Sequence, residues 1–337
     1  MNFIYNLTSE QITSISNRQI VLLDLSIWNI LADGKTPQSR KVRELLLSKC
    51  KEGKIFCPVT APTIWESRKQ AGKSFYRIAC LMEELSLNIS FRSIDQIFKN
   101  EIDSFLRYLI EGIYHPLCNN KLFGPFLSYL SPSYRIDFDS NNLSKDQQRM
   151  AYMISQEIDK MPLTQFMGMI GENSSPKISS KLKYQDANIE RRNFTKGSKS
   201  KMKRVETEHV ARSIVIPEFN KQRAKLPIST QLNIVKKVQN LPKSKNYGSA
   251  IEYMLPYLPI ISAYININTI SGYDVNRRDS ENDFYDREIM IYGLSYSSMF
   301  VAADKWIKHL MHVAHEEGDI GALCFAGSLQ ELEAKLN

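Results

Sequence analysis

Five carboxylates in this chain stand at or near the ends of its expected strands and helices. Asp24 closes the apolar run "VLL" (21–23), and Glu66 lies one turn into the segment after "KIFCPV" (54–59). Asp283 and Asp286 open "NDFYDREIMIYGL", and Asp304 follows "MFVAA" (299–303). Each has a purely structural explanation. Asp24, Asp283 and Asp304 can cap the helices that follow them, Asp286 suits a first turn, and Thr63 with Glu66 spells a T-x-x-E capping box. The group is harder to explain that way. Four or more carboxylates within several ångströms repel one another, so their pKa values rise or a cation joins them. Hard oxygen ligands suit Mg²⁺ or Mn²⁺, ions that keep coordinated water for a phosphate substrate. Such a centre can activate water and neutralise the charge that develops at a phosphodiester.

For the group to form, the strands must lie side by side and parallel. The sequence argues that they do. "SRKVRELLLSKCKEG" (39–53) carries Val42, Leu45, Leu46 and Cys50 at helical spacing and ends on Gly53. "TAPTIWESRKQAG" (60–72) opens another helix after the second strand, and "YRIACLMEELSLNISF" (76–91) reads as helix into strand. Strands alternating with helices build βαβ units and a parallel sheet, which binds ligands at the carboxyl ends of its strands. From about residue 95 the pattern turns to long helices, "DQIFKNEIDSFLRYLIEGIY" and "DQQRMAYMISQEIDKM". The segment "RRNFTKGSKSKMKR" (191–204) carries seven positive charges and no apolar periodicity, which predicts an exposed loop. Strand and helix return at the end with "MFVAA" and "KWIKHLMHVAHEE". The fold class expected is α/β: a core from 1–95 and 270–337, split by a mainly helical, basic insertion at 96–269.

Charge follows the same division. Residues 177–245 hold 18 Lys and Arg against 5 Asp and Glu, a net +13; with the whole chain at +8, the remainder stands at −5. A basic block beside an acidic remainder suits a polyanion held by one part and a cation by the other. Only Phe194 interrupts the basic segment, so phosphate contacts by Arg191, Arg192, Lys196, Lys199, Lys201, Lys203 and Arg204 are expected rather than base stacking. A solvated loop or a dock for an acidic partner is the alternative. No apolar run reaches the roughly 18 residues a membrane helix needs. "MNFIYNLTSEQ" lacks a signal peptide's basic start and apolar run, and Cys50, Cys57, Cys80, Cys118 and Cys324 form no C-x-x-C pair. Free thiols and a cytoplasmic location are expected.

The order D (Asp24), E (Glu66), D-x-x-D (Asp283, Asp286) and a late V-x-x-D (Asp304) resembles the PIN domain. "NDFYDREIMIYGLSYSSMFVAADK" is similar to the C-terminal motif of large bacterial PIN-like proteins: N-D-x-x-D, an aromatic-rich bridge, then a strand ending in T-x-D or T-D-D. The resemblance covers roughly 15–95 and 270–337. It implies a three-layer α/β/α fold around a mostly parallel sheet and Mg²⁺- or Mn²⁺-dependent endoribonuclease activity of the toxin or antiphage-defence type. An inhibitory or activating protein or nucleic acid would restrain or trigger it. By motif position Asp24, Glu66, Asp286 and Asp304 would be ligands, Asp283 a supporting carboxylate, and Ser26 a hydroxyl near the metal. In-line attack would leave a 5′-phosphate and a 3′-hydroxyl. Ser298 stands where many relatives of this type have an aspartate, and Ala302 where threonine or serine is common. A non-catalytic PIN scaffold and a DNA-directed, structure-specific nuclease are the rival readings.

Other motifs are weaker. Arg204-x4-His209 has the spacing of the HEPN helical ribonucleases but is followed by Val205 rather than a polar residue, and reads as coincidence. His312 and Glu316 at i, i+4 are possible ligands in principle, though a solvated helix face is the simpler explanation. No Walker loop, G-x-G-x-x-G, G-x-S-x-G or zinc pattern occurs.

Overall fold

The computed structural model describes residues 6–67, 73–125, 162–165, 199–242, 250–273, 281–316 and 324–337. In chain order these form α1 (Ser9–Ile15), β1 (Gln19–Leu23), α2 (Leu25–Asp33), α3 (Pro37–Lys51), β2 (Ile55–Phe56), α4 (Ala61–Ser67), α5 (Lys73–Ser86), β3 (Ile89–Phe91), α6 (Ile94–Glu111), α7 (Asn119–Leu122) and β4 (Phe123–Pro125). There follow α8 (Lys199–Val210), a π-helical turn (Ala211–Val215), α9 (Ile216–Arg223), α10 (Ile228–Gln239), α11 (Ile251–Met254), α12 (Pro259–Tyr273), α13 (Glu281–Tyr296), β5 (Met299–Val301), α14 (Lys305–Glu316), β6 (Cys324–Ala326) and α15 (Leu329–Leu336). The chain is thus mixed α/β and mostly helical, around a small parallel sheet.

That sheet has the order β2-β1-β5-β6, every pair parallel. It joins the two ends of the chain: Val21, Leu22 and Leu23 pair with Met299, Phe300 and Val301. These strands read as unbroken apolar runs because both faces are buried. Val21, Leu23, Met299 and Val301 enter one core with Trp28 and Leu31 of α2, Leu46 of α3 and Met82 of α5. Leu22, Phe56 and Phe300 enter a second core with Phe105 of α6, Ile265 of α12, Met290 of α13 and Leu310 of α14. The central helices therefore share a core with one face of the sheet. β3 touches the sheet through a parallel bridge, Val59 to Ser90, and pairs antiparallel with β4.

Local chemistry explains several boundaries. Gly34 adopts φ 56° after α2, where a left-handed residue ends a helix most cheaply. Pro217 lacks the N–H that would continue the α8 ladder, and Ile216 bonds back to Ala211, giving the π turn. The basic segment departs from expectation, because α8 begins at Lys199 rather than the loop reaching Arg204. Met202, Thr207 and Val210 form its buried face, too sparse among lysines to show a period in sequence. The expected helix in 146–161, and Arg191, Arg192 and Lys196, lie outside the described residues. Among the described residues, no helix is long and apolar enough to cross a membrane.

Candidate metal centre

The first two carboxylates come from adjacent parallel strands. Asp24 follows β1, is 4% exposed, and donates its N–H to the Val301 carbonyl at 2.9 Å, extending the β1–β5 ladder by one residue. Its Oδ2 accepts from the Ser26 N–H at 3.1 Å and the Ser26 hydroxyl at 2.5 Å, the N-cap of α2. The Ser26 oxygen also accepts from the Ala303 N–H at 3.2 Å. Ser26 thus ties the end of β1 to the turn after β5. Asp304 caps α14: its Oδ1 accepts from Trp306 N–H at 2.7 Å and Ile307 N–H at 3.1 Å. Both aspartates are helix caps, and capping fixes them at the carboxyl edge of the sheet. Burial holds the Asp24 carboxyl above the usual aspartate range against the Ser26 bonds, and the nearby Asp304 charge adds to the rise.

The other three come from two helices packed against each other, α4 and α13. The capping box expected for Glu66 does not form. Thr60 occupies the cap place of α4, bonding the Thr63 hydroxyl at 2.8 Å, and Glu66 lies in the last turn. On α13, Asp283 and Asp286 sit inside the helix, which begins at Glu281, so Asp283 is not its N-cap. Asp283 is 1% exposed. Asp286 is pushed up to about 8, first by burial and then by the charges of Asp24, Glu66, Asp304 and Asp283. Segments from the two ends of the chain thus bring together all five carboxylates singled out from the sequence.

The donor set fits a hard divalent cation. It is all carboxylate oxygen, and its members' charges raise one another's proton affinity at Asp286, a repulsion that a bound cation would relieve. Among the described residues the side chains are gathered without closing into a ligating group of three or more.

Ser298 lies at the other end of β5. Its N–H donates to the Ile20 carbonyl at 2.9 Å and its hydroxyl accepts from the Ile20 N–H at 3.3 Å, so it pins the entry of the strands, away from the carboxylate edge. Ala302 is buried and bonds through its N–H to the Ala326 carbonyl at 3.2 Å, continuing the β5–β6 ladder. Neither departure from the PIN-like motif removes a carboxylate from the cluster.

Of the basic residues, Lys199 opens α8, Lys201 and Arg204 are exposed, and Lys203 is half-buried. Arg204 pairs with Glu208 at 3.3 Å, and five residues of helix turn Arg204 and His209 roughly 140° apart. That pair does not converge. His312 is exposed on α14. All five cysteines are free.

Two further carboxylates, one fully and one partly buried, escape a reading of the sequence. Glu101 on α6 is 1% exposed and pushed up to about 8 by burial, against bonds from the Tyr296 hydroxyl (2.6 Å) and the Ile260 N–H (2.9 Å). Glu288 is pushed up to about 7 by burial alone and turns away from Asp286 on α13. Neither belongs to the cluster. Comparison with protein-family models, curated proteins and solved structures gives no match.

Proposed function

We propose that this chain is a PIN-like endonuclease, dependent on Mg²⁺ or Mn²⁺, that hydrolyses phosphodiester bonds of RNA. One observation carries the reading: the charges of Asp24, Glu66, Asp304 and Asp283 all bear on Asp286 and, after burial, help to push its carboxyl up to about 8. Helices on both faces of a small parallel sheet, with the cluster at its carboxyl edge, support the three-layer PIN-like architecture. RNA as substrate and a toxin or antiphage-defence role follow from the motif resemblance alone.

Each residue then has a defined task. Ser26 and the N–H groups of Trp306 and Ile307 hold Asp24 and Asp304 in fixed rotamers, so these two need no reorganisation. Asp286 keeps a proton at neutral pH until a positive charge arrives, and Glu66 approaches from the helix opposite. Asp283, buried a turn before Asp286, sustains the local negative potential. A bound Mg²⁺ or Mn²⁺ would supply charge neutralisation and a more acidic water. Without it the carboxylates repel the substrate's phosphates.

The test is cleavage of RNA and single-stranded DNA with Mn²⁺ or with EDTA, comparing wild type with Asp24→Asn and Asp286→Asn. Metal-dependent cutting of RNA, lost in both variants, is the expected result. DNA cut in preference to RNA would move the substrate class. Unimpaired cutting in EDTA would overturn the metal centre. Because Asp24 and Asp304 already serve as caps, a non-catalytic scaffold is the second reading. It predicts that no metal is bound and no substrate is turned over.

A further inference from the structure

The helices carry a register that relates the basic segment to the carboxylates. α12 and α13 are antiparallel neighbours, and the Ser295 hydroxyl bonds the Pro259 carbonyl at 3.2 Å. Counting nine residues along each helix from that bond brings Asn268 level with Asp286; counting twelve brings Ser271 level with Asp283. α8 lies against α12, with Asn268 Nδ2 donating to Glu206 Oε1 at 3.3 Å. Beyond α8, Phe219 of α9 is 6.3 Å from Phe105, which is 5.3 Å from Tyr257 just before α12. α8 therefore runs antiparallel to α12, and its first turns rise toward the end that holds Asp283. Lys203, three residues before Glu206, stands at the height of Ser271 and Asp283.

We propose that the start of α8 is the track on which the flank of the same RNA strand lies, its phosphates held by Lys203 and, more weakly, by Lys201 and Arg204. This rests on the reading of the carboxylates as a phosphodiester-cleaving centre. α8 and α13 both pack on α12, so the cations stand within about two interaxial spacings of about 8–10 Å from the carboxylates. A strand crossing the end of α12 meets both. Lys203 shares the inner face of α8 with Thr207 and Val210, whereas Lys201 and Arg204 face outward and Arg204 shares its charge with Glu208. Phosphate contacts of this kind fix a strand's register without reading its bases, as a segment without aromatics would. A surface for a separate acidic protein has no reason to share the height of Asp283.

The experiment is fluorescence anisotropy of the full chain with a ladder of single-stranded RNA oligonucleotides in EDTA, across a salt series. Wild-type affinity should rise with strand length, and Lys203→Gln should remove most of that gain. The slope of log affinity against log salt should flatten by about 0.7 for each phosphate the variant no longer neutralises. The exposed Lys201→Gln gives the same readout with a smaller change if Lys203→Gln fails to fold. Unchanged affinity and slope in both variants would overturn the track. So would unchanged RNA binding with weakened affinity for polyglutamate, in favour of an acidic partner. Length and salt effects in a chain that cuts nothing would uphold the track and sink the catalytic reading. Cutting without those effects would do the reverse.

Discussion

Two carboxylates at opposite ends of α13 are pushed to the same value for different reasons. Near its start, Asp286 reaches about 8 through burial and four neighbouring carboxylates. At its end, Tyr296 meets Glu101, which reaches about 8 through burial alone, against two hydrogen bonds that favour its charge. Glu101 joins three helices, taking donors from α12 and α13 onto α6, and its Oε2 is buried without a partner among the described residues. A carboxyl raised by burial and then further by neighbouring carboxylates asks for a cation, whereas one raised by burial alone and fitted with donors is a structural joint. Perturbation alone does not identify a site; its cause does.

The largest test of this contrast is reciprocal substitution. Asp286→Asn should cut metal-dependent turnover by at least about 100-fold, the upper end of what even outer-sphere partners of a metal cost. Its thermal stability should hold at neutral pH, where the Asp286 carboxyl already carries a proton, and rise above about pH 8, where a repelling charge is gone. Glu101→Gln should leave turnover intact where the fold holds. Comparable turnover losses in both variants would erase the distinction. Rates at saturating Mn²⁺, with melting curves on the same samples, decide it.

Metal binding by titration calorimetry sharpens the comparison next. If Asp286 must lose a proton to accept a cation, Mn²⁺ affinity should climb by up to about tenfold per pH unit and level off near its raised pKa of about 8. Asp286→Asn should flatten that climb and Glu101→Gln should not. A flat profile in wild type would mean that the cation does not displace this proton.

Stability against pH separates them by sign as well as size. The Glu101 carboxyl binds its proton more tightly in the folded chain, about 8 against an ordinary 4.5. Its contribution is complete below pH 4.5, falls as pH rises through the window to about 8, and then levels off. The slope is at most about 1.4 kcal/mol per pH unit. Glu101→Gln should remove it, since the amide still accepts from Tyr296 and Ile260. The corresponding slope from Asp286 should vanish in saturating Mn²⁺, whereas the Glu101 slope should persist. Urea titrations at several pH values, with and without Mn²⁺, make the measurement.

The two carboxylates also differ in how far the sequence exposes them. Asp24 and Asp304 follow short apolar runs directly, so the strand-to-edge geometry of a parallel sheet suffices to bring them together. Asp283 and Asp286 are legible through their D-x-x-D spacing at a helix start. Glu101 is not, because its donors lie 159 and 195 residues away in sequence and its own helix period is ordinary. The helix at Lys199 is hidden for a related reason: its buried face includes Thr207, a polar residue satisfied by the Lys203 carbonyl. The place of Ser298 is equally illegible, because motif spacing cannot tell one end of a three-residue strand from the other.

The smallest effect isolates what holds the carboxylates rather than the carboxylates themselves. Ser26 donates to Asp24 and accepts from Ala303, so its hydroxyl links the two strand ends through a side chain. Ser26→Ala leaves the Ala303 N–H without that acceptor and should cost about 1 kcal/mol of stability. If Ser26 only positions Asp24, Mn²⁺ affinity should fall modestly, and Ser26→Thr, which keeps the hydroxyl, should restore most of it. Failure of threonine to rescue would assign the hydroxyl a direct place at the cation. Unaltered affinity in Ser26→Ala would show that the backbone pairing of Asp24 with Val301 positions the carboxylate without help.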